Sequence, residues 1–233
     1  MRIQRAIFLG LCAGIIGALV PEPATAASPQ EKRIEQLKRE IVRIGRRATA
    51  ELKRQNEFRP ETRVALDPLV AELARLAPAK SLTQQLAYSL GAWKNIWSDL
   101  PFTTAIASQI YQVVFPGGYY YNISRYERGN EVYTSFLRGE YLLRESDLAI
   151  NFTKAVKDEG FPRRGSDIYR LAMRAEQGEF DTNLDEENSR GVGQRGNLVT
   201  FYIDDEIRVI GGGTLDGSVP SSLFILERVK AIQ

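Results

Sequence analysis

The sequence predicts a mainly β fold: an antiparallel β-barrel preceded by two or three amphipathic helices. Three observations carry this expectation. Apolar residues recur at helical spacing up to about residue 90, then switch to alternation from Gly91 onward. About eight short alternating or β-branched stretches follow, most of them separated by turn-rich segments that suit hairpins. Eight strands in this length favour a closed barrel, because closure leaves no sheet edge exposed. The chain thus divides into residues 1–26, 27–90 and 91–233: a signal peptide, a helical region and the barrel domain.

Arg2 and Arg5 precede an uncharged run from Ala6 to Val20, Pro21-Glu22-Pro23 break it, and Ala24-Thr25-Ala26 supplies a small-x-small cleavage pattern. The run is shorter than the roughly 20 apolar residues a membrane helix needs. These features predict a cleaved Sec-type signal peptide and export. The one cysteine, Cys12, falls inside that segment, and the chain contains no histidine. The mature chain is therefore expected to lack disulfides, thiolate metal sites and cysteine nucleophiles, and to lack the commonest general base and metal ligand. With 31 basic and 29 acidic residues the charge is near balance, which argues against a broad nucleic-acid surface.

In the helical region Ile34, Leu37, Ile41, Ile44 and Ala48 form one stripe, and the segment 28–59 carries ten Lys or Arg against five Glu. That basic amphipathic helix could pack on a sheet or dock on an anionic membrane surface or partner. A second run, Leu66, Leu69, Val70, Leu73 and Leu76, ends at Pro78. Ser81 with Gln84 three residues on reads as a capping box opening a short third helix to Leu90.

Strands are expected over 92–97, 119–126, 132–141, 147–153, 169–176, 198–203, 207–210 and 223–229. The first would set Trp93 and Trp97 on one face. The fifth rests on Tyr169, Leu171, Met173 and Ala175 alternating with Arg170, Ala172, Arg174 and Glu176. Lys157 to Gly165 and Gln177 to Gly196 read as surface loops.

Several motifs carry less than they suggest. Gly191-Val192-Gly193-Gln194-Arg195-Gly196 fits the dinucleotide-binding expression but follows a loop and feeds a strand, the reverse of the required context. Asp181-x-Asn183-x-Asp185-x-Glu187 begins like a calcium loop, yet it lacks the glycine and has Val192 where the bidentate glutamate belongs. It reads as a solvated acidic loop, and no metal is expected. Asp204, Asp205 and Glu206 read as a hairpin turn rather than a catalytic pair, with Arg208 near enough to pair with Asp204 or hydrogen-bond the turn. No serine has a nucleophile-elbow context, so no enzyme is expected. The aromatic set Trp93, Trp97, Phe102, Tyr111, Phe115 and Tyr119 to Tyr121 reads as core or as the wall of an apolar pocket.

Two stretches resemble the plastid-lipid-associated, or fibrillin, family. Leu90-Gly91-Ala92-Trp93-Lys94-Asn95-Ile96-Trp97-Ser98 is similar to the family's first strand, with its Gly-x-Trp. Tyr202-Ile203-Asp204-Asp205-Glu206-Ile207-Arg208-Val209, followed by Leu223-Phe224-Ile225-Leu226, is similar to its C-terminal hairpin. The family's second arginine is missing from Val209-Ile210-Gly211-Gly212-Gly213. The resemblance implies a lipocalin-like barrel that associates with lipids or isoprenoids such as a carotenoid, quinone or acyl lipid at photosynthetic membranes. With the bacterial-looking signal, it points to a periplasm or thylakoid lumen. Trp93, Trp97, Tyr202 and Arg208 are the expected ligand-binding residues, and no cofactor is expected beyond a bound lipid, carotenoid or quinone. The alternative expectation is an interaction protein that docks through the basic helix of 28–59.

Overall fold

The computed structural model describes residues 27–55, 61–99, 107–128, 131–144, 148–158, 168–180, 191–214 and 222–230. The predicted signal peptide, Phe102, the acidic stretch Asp181 to Glu187 and most of the loop from Lys157 to Gly165 lie outside the described residues.

Three helices come first: α1 (Pro29–Gln55), α2 (Glu61–Leu76) and α3 (Leu82–Ser89). The α1 stripe is buried at Ile34, Leu37 and Ile41, and α2 buries Leu66, Val70 and Leu73. At Gly45 α1 approaches the barrel so closely that a Cβ would stand 3.1 Å from the Trp97 Cβ. The capping box of α3 forms as expected: Gln84 N donates to Ser81 Oγ (3.3 Å) and Ser81 N donates to Gln84 Oε1 (2.9 Å). Among the described residues, no helix is long and apolar enough to cross a membrane.

Among the described residues eight strands follow: β1 (Gly91–Ser98), β2 (Ala107–Phe115), β3 (Tyr119–Arg128), β4 (Glu131–Leu143), β5 (Leu148–Asp158), β6 (Arg195–Ile203), β7 (Ile207–Thr214) and β8 (Ser222–Arg228). Each pairs antiparallel with the next, and β1 pairs with β8, so the sheet closes into a barrel with no free edge. The fold class is therefore the expected one, mainly β with an N-terminal helical part.

Two expected elements are corrected. Residues 169–176 are not a strand; they belong to a helix, α4 (Ile168–Glu176). Ile168, Leu171, Ala172 and Ala175 are buried while Met173 is exposed, which is the helical period and breaks the strand alternation. Conversely, β2 was not among the expected strands. Its Val113, Val114 and Phe115 are all buried, because one face lines the barrel and the other lies under α4. A strand covered on both sides shows no alternation to find.

Three clusters of buried residues follow from this wrapping. On one outer side α1 and α2 cover Trp97, Tyr202, Val209 and Ile225. On the other, α4 covers Tyr111, Val113, Phe115, Tyr121, Ile123 and Phe136. The third cluster, which includes Trp93, Val114, Tyr120, Tyr141, Ile150 and Ile210, is the barrel interior. Alternation along each strand assigns the two faces: Gln112 and Val114 point inward between the outward Tyr111, Val113 and Phe115.

Candidate functional site

At one end of the barrel six strands contribute inward side chains around a small cavity: Gln112 (β2), Tyr120 (β3), Tyr141 (β4), Ile150 (β5), Leu198 (β6) and Arg208 (β7). Helix α3 closes this end, with Leu86 and Ser89 completing the lining. The α3 C-terminus is held from within. Trp93 Nε1 donates to the Ser89 carbonyl (2.7 Å), and Arg228 donates to the carbonyls of Tyr88 and Leu90. A cation at helix-end carbonyls is favourable, and the Arg228 guanidinium also lies 4.1 Å above the Trp93 ring.

The cavity enclosed there is only about 10 Å³, room for about one water molecule. The interior is thus filled by side chains rather than open, which runs against the cavity of roughly 300 Å³ or more that a lipid-binding barrel is expected to hold. Tyr120 accounts for part of this filling. Its ring lies across Gly139, the residue paired with it on β4, where an added Cβ would stand 2.4 Å from the ring.

Arg208 is the anomaly of this interior. Its side chain is fully buried among apolar residues, yet no carboxylate stands within ion-pair distance of it among the described residues. Nη1 donates to Gln112 Oε1, while Nε has no partner. Burying an unpaired ion costs several kcal/mol, and one hydrogen bond to a charged group returns about 1.5–3 kcal/mol. Gln112 alone does not offset the burial. The loss of hydration pushes the guanidinium down to about 10, far below an ordinary arginine. The neighbouring hydroxyls do not supply a negative charge: burial holds Tyr120 and Tyr141 above the usual phenol range. Tyr141 Oη is already committed to the Phe115 carbonyl (2.8 Å). Asn95 Oδ1, on the strand beyond β8 in the same row, also lacks a partner.

Of the four residues expected from sequence, the structure brings Trp93 and Arg208 to this interior. Trp97 and Tyr202 belong to the outer side, beneath α1 and α2. The expectation that both tryptophans share a face fails because β1 carries a bulge. Asn95 pairs with Leu226 and Trp97 with Ile225, so two residues of β1 are spanned by one step of β8. Ile96 and Trp97 consequently both turn outward. The expected contact of Arg208 with Asp204 or with the turn is also overturned, since β7 points Arg208 into the barrel, onto Gln112.

Asp204 is occupied otherwise. Its Oδ1 accepts from the backbone N–H groups of Glu206 and Ile207 (2.8 Å each), which builds the β6–β7 turn. Its Oδ2 accepts from Tyr202 Oη (2.8 Å) and meets Lys38 Nζ from α1 (2.6 Å). Lys38 Nζ also meets Glu35 (2.7 Å) and Glu206 (2.9 Å). Burial opposes the Lys38 charge, but the hydrogen bonds to Asp204, Glu35 and Glu206 outweigh it and raise its pKa. Oxygens of Glu35, Asp204 and Glu206 lie within 4.8 Å of one another, as a cation site would require. The Lys38 ammonium already takes that central position, so the cluster is an ion-pair lock between α1 and the barrel.

Sequence reasoning did not single out Gln112, Tyr141 or α3 as parts of a site, and named Tyr120 only within the aromatic set read as core or pocket wall. Only Tyr120 carried a signal, as a member of the aromatic run, and nothing in the sequence distinguished its inward face. No family model matches the chain, and no curated protein matches it.

Proposed function

We propose that the protein binds a hydrophobic molecule of lipid or isoprenoid type (a carotenoid, quinone or acyl lipid) in its barrel and does not transform it. The observation that carries this reading is the construction of the α3 end. An apolar wall surrounds a few polar groups, as small-molecule sites do, and the closure is an eight-residue helix rather than a strand or a long element. Short helices have little stability of their own, so α3 depends on its attachments through Trp93 and Arg228. With about 10 Å³ free, uptake requires α3 to swing outward and withdraw Leu86 and Ser89. Among the described residues lining the cavity there is no carboxylate, and burial keeps Tyr120 and Tyr141 protonated, so no general base is at hand, which favours binding over catalysis. In this reading the chain is a fibrillin-type protein serving a photosynthetic membrane from a periplasm or thylakoid lumen.

A second reading has its own observation. The apolar stripe of α1 is spent on the barrel and α2, which leaves a cationic face outward. Beside it runs a groove of about 490 Å³ between α1 and the β7–β8 edge, lined by Arg39, Arg43, Arg46, Arg228 and Lys230 with Glu35, Glu206 and Glu227 among them. Docking there would be electrostatic, on an anionic surface or partner, and would not use the helix's apolar face.

Native mass spectrometry with organic extraction, on protein purified from its own host without detergent, separates the two. A stoichiometric carotenoid, quinone or acyl lipid is the expected result. An empty protein would overturn the barrel reading and favour the cationic face.

A further inference from the structure

Arg208 is a positive charge sealed in an apolar barrel, with a donor aimed at nothing. Three features of its surroundings narrow what could complete it. First, among the described residues the site offers one uncompensated cation, since Arg228, whose charge also reaches Arg208, is turned to the carbonyls of α3. One negative charge therefore balances it, and a dianionic group would be left with an unpaired charge in an apolar interior. Second, the free donor belongs to a guanidinium, whose planar fork matches a carboxylate in two parallel hydrogen bonds. Third, the other polar groups at this end are largely engaged: Gln112 Nε2 donates to Asn122 (3.2 Å) and Tyr141 Oη to the Phe115 carbonyl. A head group needing many donors would find few, whereas a carboxylate needs mainly the fork. Around it Val114, Leu148, Ile150 and Leu198 provide an apolar wall, and α3 provides the way in.

We propose that the molecule taken into the barrel is a monocarboxylic acid with an apolar body, its carboxylate bound by Arg208 beside Gln112. This rests on the binding reading above and specifies its ligand class. In this assignment Arg208 is a ligand-binding residue and α3 the gate over it. A neutral carotenoid or quinone would leave Arg208 uncompensated.

The test compares dodecanoic acid with methyl dodecanoate, which share a chain and differ in charge, by titration at neutral pH against detergent-free protein. The acid is expected to bind at least about tenfold more tightly than the ester, as a charge-assisted hydrogen bond in a buried site would give. Arg208→Met is expected to erase that preference while leaving ester binding in place. An acid preference that survives Arg208→Met would place the carboxylate elsewhere, on the cationic α1 groove for example, and overturn the inference. Equal binding of acid and ester by the natural chain would also overturn it and leave the barrel reading standing. Binding of neither would overturn the inference as well, and the barrel reading would then rest on the extraction experiment alone. Should Arg208→Met fail to fold, Arg208→Lys keeps the charge without the planar fork. It must then weaken the acid and spare the ester.

Discussion

Two buried cations sit on β7 and its flank, one on each side of the barrel wall, and they are treated in opposite ways. Lys38, outside, keeps 7% of its side chain exposed and faces three carboxylates. Arg208, inside, is 1% exposed and faces none among the described residues. A fold that only needed stability would neutralise both or bury neither, because removing an ion from water costs several kcal/mol. The Lys38 lock joins the first helix to the β6–β7 turn, and every charge there has a partner. Arg208 Nε has no partner, and under the proposal above it is the group that meets the ligand. Burial alone does not distinguish the two cations; compensation does.

The sharpest way to break this contrast is to neutralise each cation in turn. Lys38→Met leaves Asp204 with Glu35 and Glu206 and no counter-charge, and should lower the unfolding free energy by about 3 kcal/mol in denaturant titrations. Arg208→Met removes a charge that nothing balances, and should cost no stability or raise the midpoint. Equal losses at the two positions would dissolve the distinction between them.

A smaller effect is expected from pH. Burial alone would raise the Asp204 pKa, but the Ile207 and Glu206 N–H groups, Lys38 and Tyr202 hold it below its ordinary value of 3.8. A carboxylate lowered in the folded state contributes stability that is fully present above its unfolded pKa. That contribution is lost as pH falls through the lower, folded value. Thermal unfolding should therefore stay flat for this lock down to about pH 5 and decline below about pH 4. The Lys38→Met chain should show a shallower acid limb, since one of the hydrogen bonds that depress Asp204 is gone. An unchanged acid limb would mean that the turn amides, rather than Lys38, set the Asp204 ionisation.

The legibility of the fold from sequence divides along the same wall. Strands with one wet face, such as β5 with its inward Leu148, Ile150 and Phe152, announced themselves by alternation. So did the α1 and α2 stripes and the Ser81–Gln84 cap. The strand count came out at eight through two offsetting errors, α4 read as a strand and β2 passed over. Strand β2 was missed because it is covered on both faces and shows no polar signal, whereas in α4 the polar Arg170, Arg174 and Glu176 happen to fall two or four apart and mimic a strand's alternation. Arg208 was legible as a residue of interest but not in its role. Its direction depends on a parity that only the β6–β7 turn geometry fixes, just as the bulge at Asn95 to Trp97 decides where each tryptophan goes. Gln112, Tyr120 and Tyr141 come from three different strands, and their convergence is a property of the barrel's register rather than of any local pattern.

The β1–β8 seam has a kinetic consequence. Trp93 meets Arg228 across the most distant pairing in the chain, whereas every other neighbouring pair of strands is also consecutive in sequence. Loops of that length close late because their entropy is lost before the contact forms. Helix α1 lies over both strands of the seam, with the Thr49 hydroxyl donating to the Ile96 carbonyl (2.6 Å) and Arg46 paired with Glu227. Helix α1, made before every strand of the barrel, thus finds its final seat only after β8 has arrived. Pulse-labelled hydrogen exchange during refolding should find α1 protected no earlier than β8, and until then its apolar stripe stands open to other chains.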